Sequence, residues 1–341
     1  IGSGDPIPTE DGLAFHVARA GDRHRNEILV LVGQTDRPRC SRRLDAGLGA
    51  DVEAAGQGEL LEEGPVVPGA FEARLPEMPD ARVAVLGVRP CDVAALDVQS
   101  RIFLRDRFPD PFYASRRENL LLVAVNCTRS AATCFCTSMG TGPKANSGFD
   151  LALTELDDGF LVRVGSPAGR EIAAELDLSE AHPKARDRER RELDACAAGM
   201  ARRLETRHLK ETLYANLDHE RWDQIAERCL SCGNCTMVCP TCFCHDERDV
   251  PSLDGLHTER VREWDSCFDR DHAQVHGINF RPHVRERYRQ WLVHKLASWQ
   301  DQFGSSGCVG CGRCIAWCPV GIDLTEEVAA IRASAAAEKA T

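Results

Sequence analysis

The sequence predicts a chain of α+β character in two parts: an N-terminal domain of α/β type over residues 1–180 and a mostly α-helical C-terminal domain over residues 181–341. Three observations carry this reading. Between residues 81 and 126, short β-branched runs flank one helical segment, the pattern of a sheet with some parallel pairing. Near 180–185 the composition changes to a charged stretch that is nearly free of glycine and rich in helix formers. Beyond it, helical segments alternate with cysteine-rich loops.

The elements follow in order. Glu27–Val32 reads as a strand, and the rest of residues 1–80 has no clear period. Ala81–Val88 is a short apolar run, hence a buried strand. Arg89-Pro90 breaks it. Asp92 is then a good N-cap for a helix from Val93 to Phe103, with Leu96, Val98 and Ile102 among its apolar positions. Asn119–Val125 is a second buried strand and ends at Asn126-Cys127. Leu151–Leu156 and Phe160–Val164 flank Asp157-Asp158-Gly159, which reads as a β-hairpin. In the charged stretch, Leu193, Cys196, Ala197, Met200 and Leu204 fall on one helical face, so Cys196 reads as core. Val284, Tyr288, Trp291, Leu292, Leu296 and Trp299 form a second stripe, also read as core. An Ala-rich helix over 325–338 closes the chain.

Composition narrows the classes of function. The 341 residues are 43% hydrophobic and 28% charged, enough for a real core. Net charge is −11, from 53 acidic and 42 basic side chains, so no nucleic-acid partner is expected. No apolar run is long enough to span a bilayer, and no secretory segment is expected from the first residues given. The 17 cysteines are odd in number and tightly clustered, which suits thiolate ligation of metal better than disulfides in so large a chain. That chemistry implies a reducing compartment, and a cytoplasmic location is the expectation.

The clusters have a specific spacing. Cys229-Leu-Ser-Cys232-Gly-Asn-Cys235-Thr-Met-Val-Cys239-Pro240 is repeated as Cys308-Val-Gly-Cys311-Gly-Arg-Cys314-Ile-Ala-Trp-Cys318-Pro319. Both read C-x2-C-x2-C-x3-C-P, the spacing of bacterial two-cluster ferredoxins. A cubane needs four thiolates at four corners. A tight loop with a ligand every third residue covers three of them. Gly233, Gly310 and Gly312 let the backbone approach and aim N–H groups at sulfur. The fourth cysteine ligates the other cluster. The expected sets therefore cross: Cys229, Cys232, Cys235 and Cys318 for cluster one, and Cys308, Cys311, Cys314 and Cys239 for cluster two. Structural zinc would use two C-x2-C pairs per ion, without this repeat. The long insertion between Cys239 and Cys308 is expected to contribute helices of its own.

Four more cysteines stand in loops after the N-terminal strands: Cys91, Cys127, Cys134 and Cys136. Strand ends are where α/β sheets build sites. In an extended loop Cys134 and Cys136 would point the same way. Three readings are open: a third [4Fe-4S] cluster, which we favour, a set of buried free thiols, and zinc or redox thiols. Cys242, Cys244 and Cys267, near His245, His272 and His276, either pack around cluster one or supply additional ligands, and we favour packing. Cys40 receives no role. Gly140-Thr-Gly142-Pro-Lys144 makes a poor phosphate loop, and no Ser/His/Asp arrangement appears, so no catalytic residue is assigned. The arginines of Arg281–Arg289 face a partner, a cluster or solvent.

These residues carry a resemblance. Gly87-Val88-Arg89-Pro90-Cys91-Asp92, Val125-Asn126-Cys127 and Thr133-Cys134-Phe135-Cys136-Thr137-Ser138-Met139-Gly140 are its N-terminal part. Cys239-Pro240-Thr241-Cys242-Phe243-Cys244, Trp264-Asp265-Ser266-Cys267, Asn279-Phe280-Arg281-Pro282 and Arg287-Tyr288-Arg289-Gln290 continue it. Over about 80–325 the chain resembles the β subunit of cytoplasmic sulfhydrogenases, the NAD(P)-linked [NiFe] hydrogenases, and is similar to the related dicluster subunit of anaerobic sulfite reductase. The resemblance implies an electron-transfer subunit that makes no bond itself. It would wire a flavoprotein handling NAD(P)H to the small and large subunits of a [NiFe] hydrogenase, with no flavin on this chain. Two further readings stay in view: a reductase subunit with its own flavin or substrate site in the first domain, as in deazaflavin-reducing hydrogenase β subunits, and a structural zinc protein.

Overall fold

In the computed structural model the described residues are 14–18, 29–32, 78, 81–105 and 107–338. Glu27, Ile28 and Cys40 lie outside them. Seven strands form one mixed sheet: β1 (Ala14–Ala18), β2 (Leu29–Val32), β3 (Val83–Val88), β4 (Leu120–Val125), β5 (Leu151–Leu156), β6 (Gly159–Val164) and β7 (Ser179–Glu180). Their order is β2-β3-β4-β5-β6-β1-β7. β3, β4 and β5 pair in parallel, and the remaining neighbours are antiparallel. Val88, Leu122, Ala124, Ala152 and Phe149 form its buried core with Val93.

Helices α1 (Pro90–Phe103) and α2 (Pro111–Glu118) make the crossover between β3 and β4. Helix α1 starts at Pro90, not at Val93. Proline is well suited to the first helical position, because its fixed φ is already helical and its missing N–H has no partner there. Arg89 is therefore the extended cap residue, and Asp92 falls in the first turn. A short α3 (Cys136–Met139) and α4 (Pro167–Glu175) follow, the latter capped by the Ser166 hydroxyl, which accepts from Gly169 N at 3.0 Å.

Helix α5 (Pro183–Ala198) lies on the sheet, although its composition groups it with the C-terminal part. Ala181 and Ala185 pack on Leu156 and Leu161. Its buried Glu189 accepts from the Thr154 hydroxyl at 2.7 Å, and Thr154 in turn accepts from the Asn126 amide at 2.8 Å. The helix stops at Ala198, so Met200 and Leu204 lie beyond it, both still buried.

The remaining elements are α6 (Leu209–Ala215), α7 (Arg221–Ala226), α8 (Asn234–Met237), β8 (His245–Pro251), β9 (Thr258–Trp264), β10 (Gln274–Val275), β11 (Ile278–Asn279), α9 (Val284–Val293), a π-helical turn (His294–Ser298), α10 (Trp299–Phe303), α11 (Arg313–Ala316) and α12 (Leu324–Glu338). Leu213, Trp222, Ile225, Tyr288, Trp291 and Leu292 are central to the core here. The insertion between the motifs is only partly helical. It opens with the β8–β9 hairpin, exposed along nearly its whole length. Alternating charges rather than apolar residues set its register: Arg248 pairs with Glu263 and Arg260 with Asp249 across the strands. Among the described residues no helix is long and apolar enough to cross a membrane.

A candidate iron–sulfur centre on two repeated loops

The two cysteine motifs fold as geometric repeats. Ser231 and Gly310 both adopt left-handed backbone, with φ of 53° and 65°. Gly233 and Gly312 do the same at 74° and 72° and open α8 and α11. The turn aims Ser231 N at Cys229 Sγ and Gly310 N at Cys308 Sγ, both at 3.4 Å. The two short helices meet, and the Asn234 amide donates to Trp317 O at 3.4 Å.

Each short helix carries its last cysteine to the other loop. Cys235 has Cys229, Cys232 and Cys318 as its thiol neighbours. Cys314 has Cys308, Cys239 and Cys311. Among the described residues no three His, Cys, Asp or Glu groups converge as ligands of one metal ion would. A single zinc ion draws four sulfurs to about 2.3 Å from one point. Four thiols around a shared space fit the four corners of a cubane.

Buried donors point to the same fit. Cys229, Cys232, Cys235, Cys314 and Cys318 line one cavity together with Tyr288 and Trp291. Tyr288 Oη and Trp291 Nε1 are buried there without a hydrogen-bond partner. Arg287 Nε and Nη1 are likewise unpartnered, and this guanidinium acts on Cys229. Unpaired buried donors are costly, and cluster sulfides are acceptors that would relieve them. The stripe containing Tyr288 and Trp291 is thus core and cavity wall at once, which its spacing alone did not separate.

Burial governs the thiols. It pushes Cys308 up to about 12 and raises Cys229, Cys235 and Cys314 as well. Thiolates in such a place need a compensating positive centre, which bound iron would supply. Cys239 runs the other way. A hydrogen bond from Cys242 and the ammonium of Lys295 hold it well below the usual thiol range.

The N-terminal cysteines gather beside the second loop. Cys91 sits in the first turn of α1, Cys127 just after β4, and Cys136 at the start of α3. Cys134 and Cys136 do not share an extended loop: Cys136 begins a helical turn that Gly140 ends at φ 69°. Cys91, Cys127 and Cys134 pack around Cys136, Cys196 and Met200. Burial pushes Cys136 up to about 12 and raises Cys91 and Cys127 too. Cys196 is a fifth thiol at this place, and Met200 Sδ lies 3.9 Å from Cys136 Sγ. Its helical face reads as core, and no local signal in the sequence links it to the other four. Only the docking of α5 on the sheet does so.

The N-terminal group also touches the second motif. Phe135 N donates to Gly310 O at 2.9 Å, and Cys134 Sγ lies 3.9 Å from Cys311 O. Asp92 and Arg313 form a two-pronged pair at 2.6 and 2.7 Å.

A family model for the 4Fe-4S dicluster domain matches residues 228–322. The chain is also 36% identical over 258 residues to sulfhydrogenase 2 subunit beta of Pyrococcus furiosus, covering 74% of this chain and 75% of the relative. The chain belongs to the sulfhydrogenase β-subunit family. No solved structure matches it.

In this family member Cys242, Cys244 and Cys267 stand close to one another. Cys242 stands against Cys239. Hydrogen bonds from Cys267 and His272 lower Cys244 to about 4. His272 is raised to about 9 by Cys244 and by Asp265, to which its Nδ1 is hydrogen-bonded. His245 instead bonds Phe243 O at 3.2 Å and His276 is exposed, so neither joins the group.

Proposed function

We propose that this β-subunit relative passes electrons between a flavoprotein that handles NAD(P)H and the small and large subunits of a [NiFe] hydrogenase, working in the cytoplasm. The single observation that supports it best is the crossed grouping of eight thiols in two adjacent sets. In this reading Cys229, Cys232, Cys235 and Cys318 hold one [4Fe-4S] cluster, and Cys308, Cys311, Cys314 and Cys239 hold a second. Cys91, Cys127, Cys134 and Cys136 hold a third. Each cluster, when bound, takes up and gives back one electron. The chain's own residues do the rest: the thiols fix the spacing, the loop N–H groups and buried donors polarise the sulfurs, and the apolar core excludes water. Cys242, Cys244 and Cys267 pack against the first two sets. The chain carries no flavin and no catalytic residue.

The test is iron, acid-labile sulfide and flavin per chain on anaerobically purified protein. About twelve irons, four for each proposed cubane, are expected, without flavin. Cys91→Ala should remove about four of them and leave the dicluster spectrum in place. A colourless, zinc-loaded chain would sink the reading, and retained flavin would replace it with a self-contained reductase.

A further inference from the structure

Among the described residues, Lys295 is a buried cation without a carboxylate. It is 3% exposed and lies in the π-helical turn between α9 and α10. Such turns occur often at functional sites, because the extra residue re-aims the side chains that follow. Its ammonium donates to Cys239 Sγ at 3.3 Å, Thr241 Oγ1 at 3.0 Å and Gly307 O at 3.2 Å. The ring of Trp299 lies 5.5 Å away. The ionisable groups facing it are thiols, Cys239, Cys242 and Cys308, and of these it donates to Cys239. Other buried ionisable groups are matched differently. Asp323 takes Arg202, and Glu327 takes both Arg221 and Arg228. Arg313, the other cation beside the second cysteine set, is neutralised by Asp92. An isolated ammonium in an apolar interior is very costly unless an anion faces it. Among the described residues, the only ionisable group within hydrogen-bond reach is the thiol of Cys239.

We propose that Lys295 sets the reduction potential of the centre held by Cys308, Cys311, Cys314 and Cys239, raising it selectively over that of its neighbour. This rests on the dicluster reading above. One-electron reduction, by the flavoprotein or by dithionite in vitro, adds one negative charge to that centre and moves no proton. A cation that donates directly to a ligand sulfur stabilises the added charge. The first centre has Arg287, whose charge acts on Cys229, and it feels the charge of Lys295 at Cys235 without a hydrogen bond from it. Lys295 is the lever that distinguishes the two.

The experiment is a potentiometric EPR titration of the full reconstituted chain, wild type against Lys295→Met and Lys295→Gln. The signal of each centre is assigned beforehand by Cys308→Ser and Cys229→Ser. At the wild-type midpoint of the second centre, both variants should show the reduced-to-oxidised ratio lowered at least about tenfold, which is about 59 mV for a one-electron couple. The first centre should move much less, with iron unchanged. Full iron with an unmoved second midpoint, or equal shifts in both centres, overturns the proposal. Should both variants lose iron, wild-type protein labelled with ¹⁵N-lysine decides by pulsed EPR. A nitrogen coupling on the reduced second centre supports the proposal, and its absence overturns it. A wild-type chain with no EPR-active iron overturns the dicluster reading itself.

Discussion

The two cysteine loops share a spacing and a backbone, yet they face different surroundings. The first loop is open. Cys232 is exposed, and Leu230 and Met237 are each 63% exposed. The second is covered by the N-terminal segment Thr133–Cys136, and its Val309 is 3% exposed. The difference shows in the residues that take the left-handed turn. The first loop uses Ser231, whose hydroxyl donates to Phe268 O at 2.9 Å. The second uses Gly310, where a Cβ would stand 2.7 Å from Cys136 Cα and from Phe135 O. At Gly312 a Cβ would meet Thr133 O at 2.0 Å, while at Gly233 the nearest atom is Ser266 Oγ at 3.4 Å. Spacing arranges the thiols. What covers the loop decides where only glycine fits.

Substitutions at matched positions can break that comparison. Gly312→Ala should have the largest effect, roughly 3 kcal/mol or more, since it adds a backbone clash to left-handed strain. Denaturant unfolding should show the loss, and iron analysis should show the N-terminal centre depleted. Gly310→Ser comes next, at about 2 kcal/mol, because Ser231 shows that the conformation is open to serine and only the cover objects. A thermal melt close to wild type would refute the cover argument. Arg313→Met removes the tie to Asp92 and leaves that carboxylate half-buried, for about 1–2 kcal/mol; restored stability in the double variant with Asp92→Leu would trace the loss to the stranded charge. Gly233→Ala keeps only the backbone strain, about 1 kcal/mol. A loss equal to that of Gly312→Ala would mean the strain, not the cover, governs both loops. Ser231→Gly should change stability least, within about 0.5 kcal/mol, as relief of strain offsets the lost hydrogen bond.

Five strands of the N-terminal sheet, β2 to β6, are legible in the sequence as short, mainly apolar runs bounded by turn residues, whereas β1 and β7 show no such run. The start of α1 lies ahead of the expected Val93, because Pro90 serves as the first helical residue and not as a breaker between strand and helix. The β8–β9 hairpin leaves no apolar period to read: ion pairs between its charged side chains link the two strands. Cys196 and Lys295 are illegible as members of any site. Each occupies a helical position that reads as ordinary core or surface, and each gains its role from a neighbour distant in sequence, Cys136 for the one and Cys239 for the other.

The sequence by itself determined what is local: the strand runs, the capped and proline-started helices, and two identical cysteine spacings that force tight left-handed turns with N–H groups turned toward sulfur. Only the tertiary structure decided which loop lies open and which lies under Thr133–Cys136. It also decided that a fifth thiol joins the N-terminal four, and that a buried ammonium donates to Cys239. The physical reason is range. Turn geometry is set by bonds a few residues apart, whereas cover, burial and electrostatic balance depend on groups that only folding brings within a few ångströms.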